Sequence, residues 1–170
     1  MLQRITRLLI AAFFASIIFV TRLFVPEPFS RLLLVVDAVL LALSALFVKN
    51  LGATYVGAVS GVLTGLLIPV LLPFSIIFSF LYGVIVDACM FLFKVRANEQ
   101  GVSRNRMILA MASGTLLIAL ASYYATTGLH MFQSHPVIDM LVVFFGPASG
   151  ASAGFAAAYL WNKYLKALNI

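Results

Sequence analysis

Two acidic residues lie inside long apolar stretches of this chain. Asp37 interrupts "LLLVVDAVLLALSALFV", and Asp87 is the one charged residue between positions 53 and 93. An ionisable group inside a membrane costs about 2.5–3.5 kcal/mol on insertion scales, and it usually faces the protein interior. A carboxylate there accepts hydrogen bonds from an amino or ammonium group of a ligand. Each acid therefore either binds a ligand or bonds to a Ser, Thr or Tyr on a neighbouring helix, and the sequence leaves both interpretations open.

The helix that carries Asp87 offers a second candidate. Ser79, Gly83 and Asp87 are four residues apart, which places them on one face of a helix. We expect Gly83 to leave room for a ligand above Asp87. Ser79 is therefore a candidate binding residue together with the two acids.

The remaining candidates follow from their place at helix ends. Tyr123 and Tyr124 close the fifth apolar segment, where an aromatic ring either contacts a ligand or anchors the helix at the membrane interface. His130 and Asp139 belong to the connection before the sixth segment, as does His135. The two histidines are not spaced as two ligands on one helix face, so we predict no metal site.

The composition predicts an integral membrane protein. The 170 residues are 64% hydrophobic and 9% charged, with a mean hydropathy of +1.12, whereas soluble domains are about 45–50% apolar and about 25% charged. We read the net charge of +6 as basic loops rather than nucleic-acid binding. Catalytic motifs are missing, among them His-Glu-x-x-His and Gly-x-Ser-x-Gly, so we predict no enzyme activity and no cofactor.

Six stretches are long enough to cross a bilayer, which takes about 20 apolar residues. They predict an all-α, six-transmembrane-helix bundle in a single domain, 1–170. The predicted helices cover roughly 5–25, 31–48, 53–72, 74–94, 106–126 and 139–166. Pro69 and Pro73 disfavour continued helix and predict the turn between the third and fourth. Membrane β-barrels have shorter, alternating strands, which these segments do not match.

Basic residues predict the orientation, because Lys and Arg are enriched in cytoplasmic loops. With the N-terminus in the cytoplasm, nine of the eleven basic residues lie inside, and Arg22 and Arg31 lie in the first external loop. Both termini are then cytoplasmic, and we expect a multi-pass protein of the cell membrane. The longest cytoplasmic loop is 94–106.

Small residues recur at intervals of four. The first helix has Ala11 and Ala15, with Ala12 beside them, and the third and sixth have glycines at 57, 61 and 65 and at 146, 150 and 154. Such ridges let another helix backbone approach closely in lipid. The glycines predict packing within the bundle. The alanines predict either packing of the same kind or docking to another membrane protein.

These features resemble the substrate-binding S component of an energy-coupling factor (ECF) transporter. The resemblance covers six helices in a short chain and a basic N-terminus leading into a helix with the step Ala11-x-x-x-Ala15. The segment "VVDAVLLALSALFVKNLGATYVGAVSGVLTGLL" (35–67) is similar to the second and third helices of that family. The segment "FLYGVIVD" (80–87) is similar to its fourth helix.

The resemblance implies a function and a set of partners. S components bind a small water-soluble vitamin or its precursor near the extracellular face. They dock on a transmembrane coupling subunit that two cytoplasmic ATPases drive, which implies a docking role for Ala11, Ala12 and Ala15. In agreement, this chain has no Gly-x-x-x-x-Gly-Lys-Ser/Thr loop of its own. The two embedded acids favour a cationic or donor-rich ligand.

Two other functions remain open. One is a structural or accessory subunit of a membrane complex, with no ligand of its own. In that case Asp37 and Asp87 would bond to neighbouring helices alone. The other is a stand-alone secondary transporter or channel, although no inverted repeat with broken helices is evident.

Overall fold

The computed structural model describes residues 2–24, 34–48, 51–67, 72–98, 101–128 and 136–166. This part of the chain is helical, without strands beyond an isolated bridge between Asn98 and Gly101. The helices are α1 (Leu2–Phe24), α2 (Leu34–Val48), α3 (Gly52–Leu67), α4 (Leu72–Leu92), α5 (Arg104–Thr127) and α6 (Pro136–Leu160), the last continued by a π-helical turn (Trp161–Leu165). The prediction of an all-helical fold with six helices is confirmed.

Helix length separates two elements from the others. Among the described residues, Pro73–Leu92 and Arg104–Ala125 are long and apolar enough to cross a membrane. Leu8–Arg22, Val35–Val48 and Gly52–Leu67 are shorter apolar helices. The predicted turn around Pro69 lies outside the described residues, and α4 already begins at Leu72, before Pro73.

Helix α2 is the centre of the bundle, because it packs against each of the other five helices. Its residues Ala38, Leu41 and Ala42 are almost completely buried. Near its C-terminal end, the ring of Phe47 meets the ring of Trp161 edge to face, with centroids 4.9 Å apart. A polar residue on this helix therefore lies in the interior of the protein.

The predicted packing of the glycines is confirmed in two helix pairs. Helices α3 and α4 meet at Gly57, where an added Cβ would overlap the carbonyl oxygen of Ser79. Helices α5 and α6 meet at Gly150, where an added Cβ would overlap Oγ1 of Thr115. Small residues thus allow the backbones of the two helices in each pair to make close contact.

The close contact of α5 and α6 at Gly150 predicts that alanine substitutions at Gly150 and Gly114 have different effects on stability. We expect Gly150→Ala to lower the free energy of unfolding by about 1–3 kcal/mol, because the new methyl group overfills the α5–α6 contact. At Gly114 the nearest atom to an added Cβ is Sγ of Cys89, at an ordinary 3.7 Å. Gly114→Ala should therefore be neutral, or stabilising by about 0.5–1 kcal/mol through helix propensity. Reversible unfolding in mixed detergent micelles measures both values, and equal losses would contradict the packing argument.

The burial of Ala11 and Ala15 corrects a prediction. Ala15 is completely buried and Ala11 is 6% exposed, on a helix that packs against α2 and α3. The bundle itself covers this ridge, so a partner helix has no access to it and the docking role predicted for these two residues is wrong in this structure. Ala12 is on the exposed face. Close packing within the chain, the alternative that the sequence left open, explains Ala11 and Ala15.

The predicted cytoplasmic end of the bundle is held by hydrogen bonds across the chain. The side chain of Asn162, in the π-helical turn, accepts from the backbone N–H of Val102 at 2.7 Å and donates to its carbonyl at 3.0 Å. Gly101 next to it has φ +105°, a conformation that favours glycine. The Asn98–Gly101 backbone pair, with N–O distances of 3.3 and 2.8 Å, lies beside it.

Helix α4 ends in a Schellman motif. The N–H of Val95 bonds to the carbonyl of Met90, and the N–H of Lys94 bonds to that of Phe91. Lys94 occupies the left-handed position with φ +51°, where glycine is the usual residue. A lysine is therefore kept at a position that glycine would fill with less strain.

Candidate functional site

An ion pair joins α1 to α2 at the predicted outer end of the bundle. Nε of Arg22 donates to Oδ2 of Asp37 at 3.0 Å, and Nη2 lies 3.0 Å from the same oxygen. The Asp37 side chain is 4% exposed and that of Arg22 is 28% exposed. Arg22 lies in the last turn of α1, within the predicted first helix (5–25) and not in the external loop to which the charge count assigned it.

A serine and a tyrosine of α4 complete the cluster. Nη1 of Arg22 donates to Oγ of Ser79 at 2.9 Å. Tyr82, three residues further on the same helix face, lies near enough to Asp37 and Arg22 to interact with both charges. We call Arg22, Asp37, Ser79 and Tyr82 the polar cluster.

Two oxygen atoms of the polar cluster are buried without a partner. Within the part of the chain that the structure describes, Oδ1 of Asp37 and Oη of Tyr82 have no hydrogen bond. Asp37 is 3% exposed and Tyr82 is 4% exposed. An unmade hydrogen bond of a buried polar group costs about 1–3 kcal/mol, and buried polar groups are normally paired with protein or with ordered water. The arrangement therefore suits a small molecule or water that donates a hydrogen bond to Asp37.

The local sequence explains how three helices bring the cluster together. Arg22 is in the last turn of α1, where its guanidinium reaches the carboxylate of Asp37. Asp37 is in the first turn of α2, the central helix. Ser79 lies on the α4 face that Gly57 and Gly61 bring close to α3. Arg22 thus connects Asp37 and Ser79, two of the predicted binding residues.

The environment of Asp87 differs from that of Asp37, because Asp87 lies at the N-terminal end of α3. Its Oδ1 accepts from the N–H of Ala53 at 3.2 Å, and its Oδ2 accepts from the N–H and hydroxyl of Thr54 at 2.8 and 2.7 Å. These N–H groups belong to the first turn of α3, which has no intrahelical acceptor for them. Asp87 thus caps a neighbouring helix, and the interpretation as an interhelical hydrogen bond accounts for it.

The room expected above Asp87 is taken by the α3 backbone. A Cβ added to Gly83 would overlap the carbonyl oxygen of Ala53. Gly83 therefore serves close packing of α3 on α4, and the prediction of a ligand space beside it is wrong. Asp87 lies eight residues from Ser79, about 12 Å along α4 at 1.5 Å per residue, so it belongs to a separate site.

The other predicted binding residues are not joined to the polar cluster by any described contact. Tyr123 is 37% exposed and Tyr124 is 65% exposed, which fits interface anchors. Asp139 lies in α6, but its side chain falls outside the described part. His130 also lies outside the described residues.

Sequence reasoning named Arg22 among the residues at the outer helix ends but missed its pairing with Asp37, and it missed Tyr82 altogether. A signal for Arg22 was present, because a buried acid in a membrane usually pairs with a base and Arg22 precedes Asp37 by fifteen residues. Tyr82 gave no such signal, since a tyrosine in an apolar helix most often packs as an aromatic ring. Its burial beside two charges is a property of the folded chain.

Comparisons with known proteins give no further constraint. No protein-family model matches the chain, and neither a curated protein nor a solved structure matches it at the significance required. The interpretation of the polar cluster therefore depends on its own geometry.

Proposed function

We propose that the chain is a multi-pass membrane protein whose six helices form one bundle with both termini in the cytoplasm. Its support is the apolar outer surface: Phe91 is 82% exposed, Phe144 is 76% exposed and Leu92 is 73% exposed. A soluble protein rarely exposes so much apolar surface. The count of basic residues, nine predicted inside against two at or beyond the outer ends of the helices, agrees with the positive-inside rule.

Within this frame, we infer that the protein binds a small water-soluble molecule at the polar cluster and delivers it across the membrane. The observation that carries the inference is the pair of unpartnered buried oxygens, Oδ1 of Asp37 and Oη of Tyr82, close to the predicted outer end. Such placement suits capture from outside. Capture and delivery of a small solute is the function of the substrate-binding S component of an ECF transporter. The solute in that case is a vitamin or its precursor.

The charges of the cluster narrow the class of ligand. Arg22 neutralises Asp37, so the cluster has no net charge to offer a cation. The free oxygen of Asp37 accepts a hydrogen bond, and the hydroxyl of Tyr82 either donates or accepts one. Of the two classes of ligand that the embedded acids favoured in the sequence, cationic or donor-rich, a neutral, donor-rich solute therefore fits better.

Transport also needs an energy source, which we assign to a transmembrane coupling subunit and two cytoplasmic ATPases. Because Ala11 and Ala15 are covered, we place the docking surface on the adjacent, exposed face of α1, about 100° round the helix. Ala12 and Ser16 are exposed there, four residues apart, between the exposed side chains of Leu9, Phe13 and Val20. This pair gives a partner helix the close approach that small residues permit.

A structural or accessory subunit is the second candidate. Two observations favour it: the bundle itself fills the ridge of Ala11 and Ala15, and Asp87 is satisfied by α3 alone. It differs from the first candidate in what the polar cluster holds, which in an accessory subunit is ordered water.

The test is mass spectrometry of small molecules released from protein that has been gently purified from its native membrane. We expect one solute to be released in roughly equimolar amount, with the coupling subunit and ATPases recovered in the same preparation. Asp37→Asn should reduce the solute at least about tenfold, because it disrupts the ion pair and changes the acceptor that faces the solute. Asp87→Asn is the matched control and should retain the solute.

The outcomes separate the two candidates. No solute with the wild type would support the accessory subunit. Equal loss of the solute from Asp37→Asn and Asp87→Asn would contradict its binding at the polar cluster. Release of a solute without any ATPase would point to the stand-alone transporter.

A further inference from the structure

A basic cavity opens at the predicted cytoplasmic end, far from the polar cluster. It has a volume of about 650 Å³, and its charged lining comprises Lys94, Arg96 and Arg106. The first two follow α4, and the third lies in the first turn of α5. The salt bridge of Arg22 with Asp37 is the one ion pair among the described residues. No described acid therefore neutralises Lys94, Arg96 or Arg106. Glu99, the nearest acid in sequence, lies outside the described residues.

The wall of the basic cavity is formed by a fixed backbone. Gly101 and Val102 line it, and the two hydrogen bonds of Asn162 to Val102 hold this segment against the end of α6. The three cations thus line a space of which one wall, formed by Gly101 and Val102, is held by Asn162. Preorganisation of this kind reduces the cost of ordering when a ligand binds.

Polar groups in the wall complement an anion. Ser103 lines the basic cavity and is the N-cap residue of α5, yet its hydroxyl makes no capping hydrogen bond. The first turn of α5 contains no acidic residue. Hydroxyl, guanidinium and ammonium groups together match the oxygens of a phosphate group.

Apolar side chains adjoin the basic residues in sequence on both helices. Phe91 and Leu92, at the end of α4, are 82% and 73% exposed, and Leu109 of α5 is 55% exposed. A ligand that places a phosphate among cations and a hydrocarbon chain against these residues is a phospholipid. A free phosphate ester would use the cations but not the apolar side chains.

We propose that the basic cavity binds the headgroup of an acidic phospholipid of the cytoplasmic leaflet. The proposal depends on the membrane location and orientation given above, and not on solute binding at the polar cluster. Acidic lipids are attracted to clusters of basic residues at this surface. A bound lipid would fix the 94–106 segment at the membrane.

The experiment uses the whole protein in nanodiscs of phosphatidylcholine with a minor fraction of phosphatidylglycerol, followed by native mass spectrometry of retained lipid. We expect wild type to retain phosphatidylglycerol selectively. Arg96→Gln with Arg106→Gln should weaken this binding by about 25-fold, since each basic residue near the surface contributes about fivefold. Lys163→Gln with Lys166→Gln removes the same charge outside the cavity and should change binding by at most about threefold.

Lys94→Gly is a second variant, chosen because it should fold even if Arg96→Gln with Arg106→Gln does not. It removes one cation from the basic cavity and places glycine where the left-handed backbone favours it. We expect folding to be kept and lipid binding to fall about fivefold. Asp37→Asn should leave lipid retention unchanged, which separates this proposal from solute binding.

Three results would overturn the proposal. They are no selective retention by the wild type, equal losses in the two double variants, and displacement of the lipid by inorganic phosphate at submillimolar concentration. The last of these would identify a soluble phosphate compound as the ligand.

Discussion

Replacing Arg22 with methionine is expected to lower the free energy of unfolding by about 3–5 kcal/mol, the usual loss when one partner of a buried ion pair is removed. The reason is that Asp37, with a side chain 4% exposed, keeps its carboxylate in the centre of the bundle without a counter-charge. Ser79 loses its donor at the same time. Reversible unfolding in mixed detergent micelles gives the value.

The double variant Arg22→Met with Asp37→Leu tests whether the loss comes from the uncompensated charge. Apolar replacement of a whole buried ion pair is often neutral or stabilising, so we expect the double variant to regain most of the stability lost in Arg22→Met. Its solute binding should nevertheless be abolished. A double variant as unstable as the single one would mean that Arg22 acts mainly through packing.

This pair of results bears on why the cluster exists. If the apolar double variant is as stable as wild type, stability alone does not require Arg22 and Asp37. The unpartnered oxygens of Asp37 and Tyr82 add a cost that a purely structural cluster would avoid. Retention of a costly polar group in an apolar interior is the pattern expected of a binding site.

The sequence predicted the helices because hydropathy and length are local properties. Helix α4 begins at Leu72 and ends at Leu92, against a prediction of 74–94, and α5 differs from its prediction by one or two residues at each end. The packing of the glycines was also predictable, since spacing of four places Gly146, Gly150 and Gly154 on one ridge whatever the partner is.

The partners of the polar side chains were not predictable in the same way. Which face of α1 turns inward depends on the packing of α2 and α3, so Ala11 and Ala12, adjacent in sequence, are buried and exposed respectively. Arg22 stands two residues before the end of α1, where a loop and a helix are equally compatible with the local sequence. Asp37 and Asp87 are both single acids in apolar helices, so the local sequence does not distinguish them. Only their tertiary contacts show that Asp37 belongs to the polar cluster and that Asp87 caps α3.

The difference between the two acids gives the second large expected effect. Asp87→Ala leaves the N–H groups of Ala53 and Thr54 and the hydroxyl of Thr54 without their acceptor. We expect the free energy of unfolding to fall by about 2–4 kcal/mol, because hydrogen bonds to charged groups contribute about 1.5–3 kcal/mol and a negative charge also stabilises a helix N-terminus. Asp87→Asn keeps one oxygen acceptor and should lose about half as much.

Thr54 provides the control that assigns this loss to the cap. Thr54→Val removes one of the three hydrogen bonds, the hydroxyl to Oδ2 at 2.7 Å, and should cost about 1–2 kcal/mol. In the double variant Asp87→Ala with Thr54→Val the two losses should not add, because both changes remove the same contact. Additive losses of stability would contradict this assignment, because they would show that Asp87 and Thr54 stabilise the protein through separate contacts.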